Sequence, residues 1–178
     1  MLVSTGMATE ADIAISVRLL QSLGANFALL HCNSAYPAPF KDINLSYLAR
    51  LQQMGRGVVG YSGHERGINI AIAAVALGAR VIEKHFTVDT TMEGNDHKVS
   101  LLPQEFKSMV EGIRQIEQAM GQRQARRITQ GELMNREVLG KSLAARVAVK
   151  AGQIIRDDMV EVRAPGKGLA PNRRAELV

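Results

Sequence analysis

The stretch Val58-Val59-Gly60-Tyr61-Ser62-Gly63-His64-Glu65, then Asn69-Ile70-Ala71-Ile72-Ala73-Ala74-Val75-Ala76-Leu77, then Val81-Ile82-Glu83-Lys84-His85-Phe86, decides the fold. Its outer runs (58–61 and 81–86) are apolar and too short for helices, and the middle run (69–77) reads as a helix. Strand, helix, strand implies a parallel pair, because parallel neighbours need a crossover connection. Outward from this unit, residues 2–4 and 27–32 read as further strands, and 10–23, 45–54 and 103–119 as helices. In the first helix Ile13, Val17, Leu20 and Leu23 recur at helical spacing, Thr9 is the N-cap and Gly24 the stop. In the last, Pro103 suits the first turn, Phe106, Met109, Val110, Ile113 and Ile116 form the apolar stripe, and Gly121 ends it.

Four consecutive βα units are half of a (β/α)8 barrel, whose complete form takes about 250 residues. The alternative, a small open doubly wound sheet, lacks its glycine-rich first turn: Ser4-Thr5-Gly6-Met7-Ala8 is no dinucleotide fingerprint. The expected fold is therefore α/β, the carboxyl-terminal half of a TIM barrel over residues 1–121. Residues 122–139 open on a polar, basic run and read as a linker. Over residues 140–178, a strand at 141–149, a turn at Ala151-Gly152 and a further run from Ile154 toward Val162 describe a small, incomplete β-rich module.

Composition narrows the classes. The chain has 178 residues, 46% of them hydrophobic and 22% charged, as in an ordinary globular protein. Its longest apolar stretch, 68–77, is far short of the roughly 20 residues that span a bilayer. Met1 is not followed by a basic-then-apolar signal pattern, so no membrane association and a cytoplasmic location are expected. The net charge of +5 is concentrated in 123–127 and 163–174, only 4% of residues are aromatic, and no nucleic-acid-binding motif is present. A positive surface suits an anionic small-molecule substrate equally well. The single cysteine, Cys32, requires no oxidising compartment.

Barrel enzymes carry their chemistry at the carboxyl ends of the strands. There the sequence places Ser4 and Thr5, then His31, Asn33, Ser34 and Tyr36, then Ser62, His64 and Glu65, and finally Glu83, Lys84 and His85, followed by Asp89, Asp96 and His97. His64 and His85 end consecutive parallel strands, so they are expected to be neighbours at the barrel mouth, and two neutral imidazoles with open positions suit a divalent transition ion. Each also reads as a hydrogen-bonded structural histidine. Ser62 between Gly60 and Gly63 reads either as turn chemistry or as a phosphate-binding hydroxyl, Tyr36 either as packing or as a contact, and Cys32 as a small buried hydrophobe. Asp96 and His97 sit in a loop too long for a tight turn, which admits a functional role.

Taken in order, Ser4-Thr5-Gly6-Met7-Ala8, Leu30-His31-Cys32-Asn33-Ser34-Ala35-Tyr36-Pro37, Gly60-Tyr61-Ser62-Gly63-His64-Glu65, Glu83-Lys84-His85-Phe86-Thr87, Gly94-Asn95-Asp96-His97 and Ser100-Leu101 resemble the successive signatures of the sialic acid (N-acylneuraminate) synthase family. The later Gly140-Lys141-Ser142-Leu143, Val149-Lys150-Ala151-Gly152 and Pro165-Gly166-Lys167-Gly168 resemble the start of that family's antifreeze-like (SAF) domain. The resemblance implies a transferase that condenses phosphoenolpyruvate with N-acetylmannosamine or a related N-acyl hexosamine and releases phosphate. It implies His64 and His85 as ligands of manganese or magnesium, Ser4 and Ser62 near phosphoenolpyruvate, and Tyr36 and Asp96 on the sugar. Ser34 stands where relatives carry an amide, and Glu83 either orients a ligand or shuttles a proton.

The family's first four strands have no counterpart in this chain, so the expectation is a polypeptide inactive by itself unless the other half is supplied. The antifreeze-like domain of relatives closes over the partner subunit of a homodimer and contributes a basic residue from a Lys-Arg-Pro-Gly-like segment. Here Arg163-Ala164-Pro165-Gly166 stands in its place, and either Arg163 substitutes or the contact is lost. A non-catalytic module that binds an anionic sugar is the competing reading. An aldolase-type barrel is a third, but its one candidate Schiff-base lysine, Lys84, is one residue from His85 and points to the opposite face.

Overall fold

The computed structural model describes residues 1–178 and divides into two units, Met1–Gln122 and Arg123–Val178. In the first, β1 (Leu2–Ser4), β2 (Ala28–Cys32), β3 (Val59–Gly63) and β4 (Val81–Lys84) form one parallel sheet in the order β1-β2-β3-β4. The crossovers contain α1 (Glu10–Ser22), α2 (Tyr47–Gly55) and α3 (Asn69–Ala76), and α4 (Pro103–Met120) follows β4. No helix is long and apolar enough to cross a membrane.

The two faces of the sheet differ. Leu29, Val59 and Tyr61 are buried with Ile13 and Val17 of α1, Leu48 and Leu51 of α2 and Ala74 of α3, so odd-numbered positions of β2 and β3 face the helices. Side chains alternate along a strand. The register aligns Cys32 with Ser62 and Ser62 with Glu83, so Cys32, Ser62 and Glu83 project from the other face, as do His64 and His85 one alternation further on. That second face corresponds to the interior of a barrel.

Local chemistry sets the ends of the elements. The Thr9 side chain accepts from Asp12 N–H, and the Asp12 carboxylate accepts from Thr9 N–H, a capping box that starts α1. Gly24 follows at φ +62°, a conformation only glycine adopts freely. Leu23, expected in the buried stripe, is instead the C-cap and is exposed, because the helix ends one residue earlier. In α4 only Met109 of the expected stripe is fully buried, and Val110 lies toward solvent. A Cβ on Gly112 would meet Ile72 Cδ1 at 2.7 Å, so that glycine lets α4 lie close on α3. The third strand runs two residues beyond its expected end, to Gly63, and carries its register to the residue before His64.

In the second unit, β5 (Ser142–Ala145) and β6 (Val160–Arg163) pair antiparallel. The strand expected over 141–149 is thus only four residues long. Buried Ser142 donates to Pro165 O at 2.7 Å and accepts from Gly168 N–H at 2.8 Å, which ties the glycine-rich turn to β5. The segment read as a linker is not irregular: α5 (Gln130–Leu139) forms within it, started by a Thr129–Glu132 capping box. That box satisfies the amides of Thr129 and Glu132 at the start of a helix none of whose residues is buried.

Candidate metal and substrate site

His64 directly follows β3 and His85 directly follows β4. Their ring centroids are 5.1 Å apart with the planes inclined at 77°. His64 is buried, and its Nδ1 lies 2.7 Å from the Asn33 carbonyl oxygen. A carbonyl can only accept, so Nδ1 carries the proton and Nε2 holds the lone pair. The Tyr36 hydroxyl, 2.9 Å from Nε2, donates to it. Tyr36 also stacks on His64 at 4.1 Å and meets His85 edge-on at 5.6 Å. Burial pushes the Tyr36 phenol above its ordinary range, helped by the negative charges of Asp96 and Glu83, which keeps the hydroxyl a donor.

Asp96 opens a short 3-10 turn, Asp96–Lys98, and its Oδ1 lies 3.9 Å from His85 Nδ1. The turn is held from below: Ser100 Oγ donates to Asp96 O, and Thr87 Oγ1 bonds His97 Nδ1 at 2.7 Å. Tyr36, His64, His85 and Asp96 are therefore one cluster. Ser62 is buried on the same face, beside Cys32 and the exposed Glu83 in register. Cys32 Sγ is 3.7 Å from His64 Nδ1 and 3.8 Å from Ser34 Oγ. A Cβ on Gly6 would sit 2.1 Å from Ser34 Oγ, so Gly6 admits that hydroxyl. Ser4 shares the face but lies on β1, at the far edge from β4. Arg163 is on β6 of the second unit, ion-paired to Glu161 at 3.3 Å.

The residues present fit a divalent ion. With about 2.1 Å from nitrogen to ion and roughly 1.1 Å more to the ring centre, imidazoles sharing an ion at angles of about 90–109° have centroids about 4.5–5.2 Å apart. The observed separation falls in that interval, and the second-ring-nitrogen bond to Asn33 O is the kind that orients a histidine ligand. No three His, Cys, Asp or Glu groups converge as a complete cage. A two-histidine site leaves its other positions to water and substrate oxygens.

Two of the strand-end polar residues, Glu65 and the candidate Schiff-base Lys84, have structural partners. Lys84 and Glu65 are wholly buried on the helix side, with Lys84 Nζ 3.0 Å from Glu65 Oε1 and Tyr61 O–H donating to Glu65 Oε2 at 2.6 Å. That placement removes Lys84 from the mouth and with it the aldolase reading. His31 is likewise buried on the helix side, its Nε2 bonded to Ile43 O, and burial pushes its pKa down. Sequence reasoning missed this network; the adjacency of Glu65 to His64 and of Lys84 to His85, with strand alternation, is the signal that could have found it.

A half-barrel of parallel strands, with imidazoles at the tips of its last two, defines the class. The chain belongs to the NeuB family, whose profile matches residues 1–125. It is 43% identical over 180 residues to the N,N'-diacetyllegionaminic acid synthase of Campylobacter jejuni, covering 99% of this chain and 54% of that one. It is 38% identical to the N-acetylneuraminate-9-phosphate synthase of Homo sapiens, covering 100% and 50%. The crystal structure of the N-acetylneuraminic acid (sialic acid) synthetase of Leptospira borgpetersenii, in complex with citrate, matches with a TM-score of 0.69 at 35% identity, over 75% of this chain and 47% of that one. The chain spans about half the length of the relatives it matches.

Proposed function

We propose that this chain carries the metal-binding half of an active site that condenses phosphoenolpyruvate with N-acetylmannosamine or a related N-acyl hexosamine. The observation that carries the reading is the neighbouring pair His64 and His85, ring centroids 5.1 Å apart on the barrel side of adjacent strand tips. The synthases among its relatives support it.

Manganese or magnesium, held by His64 and His85, supplies Lewis acidity toward the sugar aldehyde and toward water. C3 of phosphoenolpyruvate bonds to the aldehyde carbon, water adds at C2, and phosphate leaves from C2. The chain's own groups orient these partners. The Asn33 carbonyl keeps the lone pair of His64 on Nε2. With Nε2 given to the ion, the O–H of Tyr36, held protonated, is free to donate to the sugar, and the Asp96 carboxylate accepts from the sugar hydroxyls. Ser62 and Ser4 offer hydroxyls to phosphoenolpyruvate, Ser34 lies beside Cys32, and Glu83 is a carboxylate on the same face as Ser62, placed to orient a ligand or take a proton. The second unit reads as the beginning of an antifreeze-like domain, with Arg163 as the cation offered to a partner subunit in a homodimer.

The test is phosphate release by a chimaera that places this chain behind the amino-terminal half of the Campylobacter jejuni relative. The reading predicts release that requires phosphoenolpyruvate, hexosamine and Mn2+ together and falls about a hundredfold or more in His64→Ala and in His85→Ala. Release indifferent to both substitutions, or independent of hexosamine, contradicts it.

A further inference from the structure

We infer that the buried Lys84–Glu65 ion pair is a positioning brace that holds the His64 and His85 rings together from the opposite side of the sheet. The inference rests on the proposed role of the two histidines. Glu65 follows His64 and Lys84 precedes His85, so the pair joins the two strand tips through the residues immediately flanking the imidazoles. Both side chains are completely buried, and Lys84 Nζ bonds two atoms of Glu65, the backbone oxygen at 2.5 Å and Oε1 at 3.0 Å. The other carboxylate oxygen accepts from Tyr61 O–H at 2.6 Å. Lys84 is paired in register with Gly63, and a Cβ there would stand 2.7 Å from Glu65 Oε2 and 2.9 Å from Oε1. A glycine thus clears the space across which lysine reaches glutamate.

The position of the brace explains why so costly an arrangement is present. Two charges removed from water contribute little net stability compared with apolar side chains of similar size, so a role in fixing geometry is what the brace assigns to them. The geometry fixed here is the end of β3 relative to the end of β4, one residue from each imidazole. Beyond this point β4 has no further ladder to β3: Phe86 pairs instead with Leu101. The ion pair is therefore the last cross-link between the two strands before the histidines.

The test compares the wild-type chain with Glu65→Gln/Lys84→Met, which removes both charges together, and with Tyr61→Phe, which removes only the bond to Oε2. Thermal unfolding, the nuclear Overhauser effect between the His64 and His85 rings, and Mn2+ titration by calorimetry are read on each. The brace predicts a double variant that still unfolds cooperatively but loses the inter-ring effect and binds Mn2+ at least about tenfold more weakly, with Tyr61→Phe intermediate. An inter-ring effect and Mn2+ affinity equal to wild type in both variants overturns it. So does a double variant that no longer unfolds cooperatively while Tyr61→Phe keeps wild-type values, since the pair then serves folding alone. A wild-type chain that shows the inter-ring effect but takes no Mn2+ defeats the metal reading, and the effect in the variants then decides the brace.

Discussion

The phenol of Tyr36 lies stacked on the imidazole of His64, its hydroxyl 2.9 Å from Nε2. One side chain that the sequence assigned to sugar thus touches one that it assigned to metal. Tyr36→Phe frees the His64 Nε2 lone pair that the phenol occupies, so Mn2+ affinity is expected to hold or rise while KM for the hexosamine in the chimaera rises about tenfold, the worth of one hydrogen bond. Steady-state kinetics beside a Mn2+ titration separates the two effects. A loss of Mn2+ binding with unchanged KM contradicts the division of labour.

Asp96 approaches His85 to 3.9 Å but remains largely exposed. Asp96→Ala is expected to raise KM for the hexosamine by about tenfold or more and to leave Mn2+ affinity nearly unchanged, because the two histidines do not depend on it. Calorimetric loss of Mn2+ binding in this variant would instead make Asp96 a third ligand.

All three tyrosines, Tyr36, Tyr47 and Tyr61, have phenols pushed above the ordinary value, in each case first by burial; Tyr61 is shifted most, with Glu65 adding to the effect. A raised folded-state pKa means that the native chain holds these protons more tightly than the unfolded one. The associated stability is complete below the unfolded value of about 10 and is lost as pH rises above it. Absorbance titration is expected to show no native phenol ionising at its ordinary pH, with all three doing so in denaturant. A full-amplitude native transition near pH 10 contradicts the packing described.

Gly63→Ala forces a methyl group to within 2.7 Å of both the Glu65 carboxylate and the Tyr61 ring. Neither neighbour is free to move, since each bonds the other. The substitution is expected to cost about 1–3 kcal/mol, read from denaturant unfolding. A wild-type midpoint would show that the network has slack.

The half-barrel was legible because its signals are local and repeated. Short apolar runs, helical spacing in 10–22, and the glycines at 24 and 121 each mark an element or its end. The convergence of His64 with His85 followed from parallel register alone, and the structure brings them together with Tyr36 and Asp96. The helix at Gln130–Leu139 was missed because its apolar residues Met134, Val138 and Leu139 are exposed, so no burial periodicity announces it. The Thr129-Gln130-Gly131-Glu132 box was the signal that could have done so. The Glu65–Lys84 pair was half hidden: strand alternation turns Lys84 away from the face of His85, but nothing in the sequence pairs it with Glu65 in the interior.

Pulsed electron paramagnetic resonance on the Mn2+-loaded chain, with histidine labelled by 15N, tests the central claim most directly. Hyperfine coupling to two imidazole nitrogens, one lost in His64→Ala and the other in His85→Ala, is the predicted result. A Mn2+ spectrum without nitrogen coupling, or with coupling that survives both substitutions, would contradict the account.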